Sequence, residues 1–360
     1  MKLRTRIAAI GTAAALLLSP VVTGSAQAQA PLAGPLVPAA APSSQATAAA
    51  NWIVDQWNAD QSVLTGGNLA DAIIGLAATG LHADVIDEMN AALQAQAPTY
   101  ATSAGAAGKV AIAAIALGED PTNYGGVDLI QVIQDDLAAN PDAGGIFALP
   151  YAIIALVRAG ETVPQASIDA LIDAQDPSGA FGYWEVWNTP PTWATDIDSS
   201  GLAITALVGL ADSGQGGTDV PLVLEYAVEW AYNTQLGDGS WAGYSPANAT
   251  ALVGQGLIAA GEDATAAQAY LHDQQANTGG AALPSTHDGT APNMLATIQA
   301  LLLLAGDDLL NVTFETSTPV TTPPVTTPPA TTGAPTTSAP ATTPNKPGAL
   351  PNTGVAANQR

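Results

Sequence analysis

Two aspartates one residue apart, Asp196 and Asp198, follow an aromatic cluster in the stretch GYWEVWNTPPTWATDIDSSG, residues 182 to 201. Tyr183, Trp184, Trp187 and Trp193 stand there, in a chain that is only 5% aromatic. A carboxylic acid kept neutral by its surroundings can donate a proton to a substrate. Aromatic faces stabilise cations, stack on sugar rings and cover flat apolar ligands. Together they point to proton transfer or to ligand capture, and Pro190 and Pro191 stiffen the segment so that its indoles can stay at a binding mouth. The plainer roles are structural. An aspartate at a helix start caps free N–H groups, and an aromatic after a turn packs into the core.

The elements that would position these residues follow from a repeating pattern. Six Ala/Leu/Ile-rich segments occur, most closing on glycine: ADAIIGLAATG (70–80), KVAIAAIALG (109–118), YAIIALVRAG (151–160), GLAITALVGLA (201–211), ALVGQGLIAAG (251–261) and TIQALLLLAG (297–306). Glycine at the end is a helix stop. Between them lie segments with one polar face, namely ANWIVDQW, DVIDEMNAALQ, VDLIQVIQDDL, ASIDALIDAQ, VLEYAVEWAYNTQ and ATAAQAYLHDQQ. Helices apolar all round, alternating with half-wet helices, predict an inner ring wrapped by an outer one. The expected fold is all-α, an (α/α)6 toroid of about twelve helices over residues 43–313. An open helical solenoid has the same pairing, but six inner segments and the need to cap open ends favour closure.

A second period sits between the helices: QDPSGAF (175–181), QLGDGSW (235–241) and QANTGGA (275–281). Glycine follows glutamine by four residues each time, and an aromatic comes two later in the first two, with Ala281 in the third. The expected role is structural: the amide bonds open carbonyls at a helix end, glycine turns the chain, and the aromatic packs beneath. The pattern resembles the QW repeat of squalene and oxidosqualene cyclases, found across the terpenoid cyclase and protein prenyltransferase superfamily. DIDSSGLAITAL (196–207) resembles the D-x-D-D-T acid motif of squalene-hopene cyclases. On that resemblance Asp196 and Asp198 match the first two aspartates, Ser199 replaces the third, Ser200 stands for threonine, and Asp198 would be the proton donor. AGKVAIAAIALGEDPTNYGGVDLIQ (107–131) resembles secreted bacterial toroids related to the cobalamin-binding domain of intrinsic factor and transcobalamin. That resemblance alone implies a corrinoid ligand, and no cofactor is otherwise expected.

The ends of the chain speak to location. Lys2, Arg4 and Arg6 precede an apolar run and small-residue cleavage sites, which reads as a signal peptide over residues 1–28, followed by a linker over 29–42. The run is too short and Ala-rich for a membrane span, so no transmembrane anchor is expected. Residues 314–349 form a Thr/Pro-rich stalk, expected to be disordered and extended. Leu350, Pro351, Asn352, Thr353 and Gly354 then resemble the LPXTG sorting signal that sortase joins to Gram-positive peptidoglycan, followed by a short tail over 355–360 in place of the usual apolar segment and basic end. Secretion, with possible attachment to the wall, is the expected location.

Composition closes several classes. With no cysteine there is no disulfide, thiolate ligand or cysteine nucleophile. His82, His272 and His287 are scattered, so no metal site is expected. The formal charge is −24, and Lys109 and Arg158 are the only lysine and arginine of the globular region, which excludes nucleic acid as a partner. No complete catalytic constellation is present. The reading is a toroid that binds a hydrophobic small molecule, a corrinoid or a glycan through Tyr183, Trp184, Trp187, Trp193 and Trp241. The alternative is a terpene cyclase-like enzyme, an isomerase or lyase, using Asp198 with Asp196.

Overall fold

The computed structural model describes residues 41–186 and 188–314. The expected signal peptide, nearly all of the linker, the stalk beyond residue 314, the sorting motif Leu350–Gly354, the short tail and Trp187 lie outside the described residues. Among the described residues the chain is overwhelmingly helical. In order, the helices are α1 (Ser44–Ala59), α2 (Gly66–Thr79), α3 (Ala83–Tyr100), α4 (Ala104–Ala116), α5 (Leu129–Ala139), α6 (Leu149–Arg158), α7 (Gln165–Asp173), α8 (Ile197–Asp212), α9 (Asp219–Thr234), α10 (Pro246–Ala259), α11 (Thr265–Asn277) and α12 (Met294–Ala305). A short antiparallel hairpin, β1 (Gly182–Glu185) and β2 (Thr192–Thr195), precedes α8. No helix among the described residues is long and apolar enough to cross a membrane.

Each Ala/Leu/Ile-rich segment is an even-numbered helix, and each segment with one polar face is an odd-numbered one. The burial follows the pattern. In α8 every residue from Ser199 to Leu210 is buried, whereas α3 buries only Val85, Ile86, Met89, Leu93 and Ala97, one helical stripe. The even helices pack in succession, α2 on α4, α4 on α6, α6 on α8, α8 on α10 and α10 on α12, and α12 packs back on α2. Odd helices pack against their even neighbours, α1 touching both α2 and α12.

Small residues let the even helices approach backbone to backbone. A Cβ on Gly108 would stand 2.7 Å from the carbonyl of Tyr151 on α6, and one on Gly201 only 2.4 Å from the backbone of Leu252 on α10. These contacts also fix direction. Gly105 faces Ala148 while Gly108 faces Tyr151, so α4 and α6 run the same way. Asp71 meets Gln299 and Gly75 meets Leu301, so α2 and α12 do too. Asn248 meets Gln299 and Gly254 meets Leu303, which adds α10. The N-termini of α2, α10 and α12 therefore share one end, as do those of α4 and α6.

The three glutamine turns behave as their chemistry predicts. Nε2 of Gln175 donates to Gly179 O (3.1 Å) and to Val223 O of α9 (2.9 Å). Gln235 donates to Gly239 O (2.9 Å), and Gln275 donates to Ala281 O (2.5 Å) and to Gln45 O of α1 (3.0 Å). Each turn ends on a backbone N–H that donates to a hydroxyl inside the next even helix: Phe181 to Ser200 (2.9 Å), Trp241 to Thr250 (3.3 Å) and Leu283 to Thr297 (2.9 Å). Leu283, not Ala281, is thus the counterpart of the turn aromatics. The third turn is two residues longer, which displaces the position the spacing assigned.

At the opposite end of the inner helices the chain crosses back over itself after α12. Arg158, in the last turn of α6, donates to Leu309 O (2.7 Å) and Val312 O (2.5 Å), and Phe314 N donates to Ala116 O at the end of α4 (2.7 Å). Residues 306–314 thereby close over the C-terminal ends of the even helices.

Candidate ligand-binding mouth

The aromatic stretch folds as a hairpin because Tyr183, Trp184, Trp193 and Thr192 suit extended backbone and the intervening residues turn. Glu185 Oε2 accepts from Asn188 Nδ2 and Thr192 Oγ1, both at 2.8 Å, and so pins the turn. Trp184 and Trp193 are direct cross-strand partners with ring centroids 5.4 Å apart in an edge-to-face pair. Trp184 stays 59% exposed. Trp193 is half-buried, and its indole N–H has no acceptor among the described residues. Tyr183 pairs with Ala194 on the other face of the ribbon, so it does not share a wall with the two indoles.

Trp241 is elsewhere. It is fully buried, and its Nε1 donates to Ala231 O of α9 at 2.9 Å. The expectation that it touches ligand is corrected: the indole fills the space beneath its own turn, as Phe181 does in the preceding one. Other apolar side chains take the place at the rim. Phe147 just before α6, Tyr244 just before α10 and Leu295 in the first turn of α12 are exposed, as is the hairpin before α8. All stand at N-terminal ends of even-numbered helices.

The two aspartates divide their roles. Asp196 is the N-cap of α8, with Oδ1 accepting from Ser199 N at 2.6 Å. Ser200, the residue matched to a threonine, bonds Asp196 O (2.7 Å) and receives the Phe181 N–H, so it ties turn to helix. Asp198 is half-buried in the first turn of α8, and no hydrogen bond or ion pair reaches its carboxyl among the described residues. Burial, and then the charge of Asp196, push its pKa up to about 7.

Deeper between the inner helices lies a polar chain that connects distant parts of the sequence. Lys109 Nζ of α4 pairs with Asp71 Oδ2 of α2 at 3.0 Å and sits 4.5 Å from the ring centre of Tyr151 on α6. Gln299 of α12 reaches the same Asp71 oxygen at 3.5 Å, and Asn248 of α10 donates to Gln299 Oε1 at 2.5 Å. Ser245 bonds Asn248 and donates to Ser285 O at 2.7 Å, while Gln255 donates to Gln299 O at 2.9 Å. Burial works against the Lys109 charge, but Asp71, together with Tyr151 and Tyr100, more than offsets it, and the ammonium is held above its ordinary pKa. The Tyr151 phenol is pushed up to about 12, first by burial, with Asp71 and Asp198 adding and Lys109 opposing.

These residues border a small cavity of about 20 Å³, with Asp71, Tyr151, Gln255 and Gln299 on its polar side and Leu252 and Leu309 among its apolar lining. Leu309 belongs to the segment that follows α12 and is held by Arg158, so the cavity reaches towards the C-terminal ends of these helices. The volume has room for about one water molecule. Of the whole set, composition singled out only Lys109, and only as a scarce cation. The available signal was a polar residue inside an otherwise apolar segment, as with Asp71 in 70–80 and Gln255 in 251–261.

No family model and no curated protein matches the chain.

Proposed function

We propose that the chain is an exported (α/α)6 toroid that binds the end of a glycan at the N-terminal mouth of its inner ring. The cyclic packing order of the even helices supports the ring, and the signal-like start supports export. One observation carries the choice of ligand: a chain of buried carboxylate, ammonium, amide and phenol groups lies beneath a rim of exposed aromatics. Sugars need both, since their hydroxyls are satisfied by such groups and their C–H faces stack on indoles. Where the sorting motif is used, sortase would join the protein to peptidoglycan, with the stalk as spacer.

The test is a binding screen of the full chain against an oligosaccharide array, followed by calorimetry on any hit with Trp184→Ala. Binding that is lost while the melting temperature holds supports the reading; a chain that binds no glycan overturns it. A second reading is favoured by Asp198 alone, whose pKa near 7 suits a general acid. In that case the chain is a terpene cyclase-like enzyme with Asp198 as proton donor, and incubation with an isoprenoid such as squalene gives a cyclised product that Asp198→Asn abolishes.

A further inference from the structure

The cavity between the even helices has the size and the lining of a site for one water molecule. Its volume is about 20 Å³, and a water needs roughly 10–15 Å³ together with two to four polar partners. Polar side chains reach it from four helices: Asp71 of α2, Tyr151 of α6, Gln255 of α10 and Gln299 of α12. Leu252 and Ile298 close its apolar side.

Three of those polar groups have hydrogen-bonding capacity that the protein does not use. Lys109 and Gln299 both reach Oδ2 of Asp71, and no hydrogen bond reaches Oδ1 among the described residues. Gln255 spends its Nε2 on Gln299 O at 2.9 Å, and its Oε1 receives no donor. Tyr151 keeps its proton, since burial first of all pushes the phenol up to about 12. The neighbouring Lys109 can only donate, so the phenol proton has no acceptor there. These groups are set apart from the sealed, unpartnered indoles of Trp57 and Trp193 and hydroxyl of Ser167, because they stand on space that admits a solvent molecule.

Two acceptors and one donor are the complement of a water that donates twice and accepts once. A cation fits less well. Lys109 already balances Asp71, and the phenol presents a proton to the cavity. An ammonium of similar size has nothing with which to accept that proton.

We propose that this cavity binds one structural water, which donates to Asp71 Oδ1 and Gln255 Oε1 and accepts from the Tyr151 hydroxyl. The water extends the polar chain of Ser245, Asn248, Gln299, Asp71 and Lys109 to two further side chains, and so ties α2, α6 and α10 together where they meet. The site is independent of any ligand held at the aromatic rim.

The experiment is a crystal structure of the full chain at a resolution that shows ordered water, paired with oxygen-17 relaxation dispersion of the full chain and of Tyr151→Phe after a thermal melt confirms folding. One water within hydrogen-bond distance of all three groups is the expected density. Tyr151→Phe removes one of the three bonds and should shorten the residence time of a long-lived internal water at least tenfold. Where that variant does not fold, Gln255→Met makes the same comparison. A dry cavity, a metal ion with short contacts to Asp71 and Gln255, or an unchanged residence time in the folded variant overturns the inference.

Discussion

The connection from α7 to α8 and the one from α9 to α10 are built on one plan and end differently. Both open with a glutamine that bonds the carbonyl of a glycine four residues on, and both pass through that glycine at φ near +90°. Both bury an aromatic, Phe181 or Trp241, whose N–H is received by a hydroxyl of the next helix. In the second, the chain then enters α10 after four residues, Ala242 to Ser245. In the first, a hairpin intervenes and carries Trp184 out to solvent. The shared part lies beneath the turn and serves the fold. The inserted part has no such duty, which is why an indole can be left exposed there.

The sharpest way to break this comparison is to remove one tryptophan from each side. Trp241→Ala empties a fully buried site and should cost about 3–5 kcal/mol, whereas Trp184→Ala should cost under about 1 kcal/mol, since it lies on the surface away from the core. Chemical denaturation of the two variants measures both, and equal losses would erase the distinction.

Next are the turn glycines. A Cβ on Gly179 would come within 2.2 Å of Tyr226 O, and one on Gly239 within 2.2 Å of Ala266 O, each on the following outer helix. Alanine at either position should therefore destabilise, by at least the roughly 1–3 kcal/mol of a strained backbone. Because the turns are equivalent the two losses should be similar, and a mild effect at one alone would show that the plan is not shared.

Smaller still, Ser200→Ala and Thr250→Val each leave a buried N–H without its acceptor and should each cost about 1–3 kcal/mol. The same melts would detect this, and a neutral result at Ser200 would reopen a role for that residue outside the fold.

The smallest effect depends on pH. Asp198 has a folded pKa near 7, above the ordinary carboxyl value of about 4, so the folded chain holds its proton more tightly than the unfolded chain does. Stability from this group is therefore full below pH 4 and falls as pH rises towards 7 and above. Asp198→Asn removes the penalty: it should raise the melting temperature by a few degrees at pH 8 and leave it unchanged at pH 3.5. A variant that melts lower at pH 8 would mean that the carboxylate is paired.

Much of the helical order was legible in the sequence because burial follows periodicity. Segments such as GLAITALVGLA have no polar face to turn outward, and ASIDALIDAQ has one. The turns were legible through their glutamines and glycines, except that the third runs two residues longer and puts Leu283 where spacing placed Ala281. The mouth was legible only at its edge. Asp198 and Trp184 stand close together in sequence, but Asp71, Lys109, Tyr151, Asn248, Gln255 and Gln299 come from five different helices. Nothing local marks them as neighbours, and Asp71 meets Gln299 across 228 residues only because α12 returns to α2. Trp241 misled for the opposite reason, since a turn aromatic looks the same in sequence whether it faces a core or a ligand.

The most direct measurement is hydrogen exchange of the full chain with and without a saturating oligosaccharide chosen from the array. The account predicts added protection in the hairpin at 182–195, in 147–152, in 243–249 and in 294–300, the segments that meet at the N-terminal mouth. The turns at 175–181 and 235–241 and the closing segment at 306–314 should not change. Protection centred on those turns or on that closing segment would contradict the account, as would a ligand-bound chain with no protection at the hairpin.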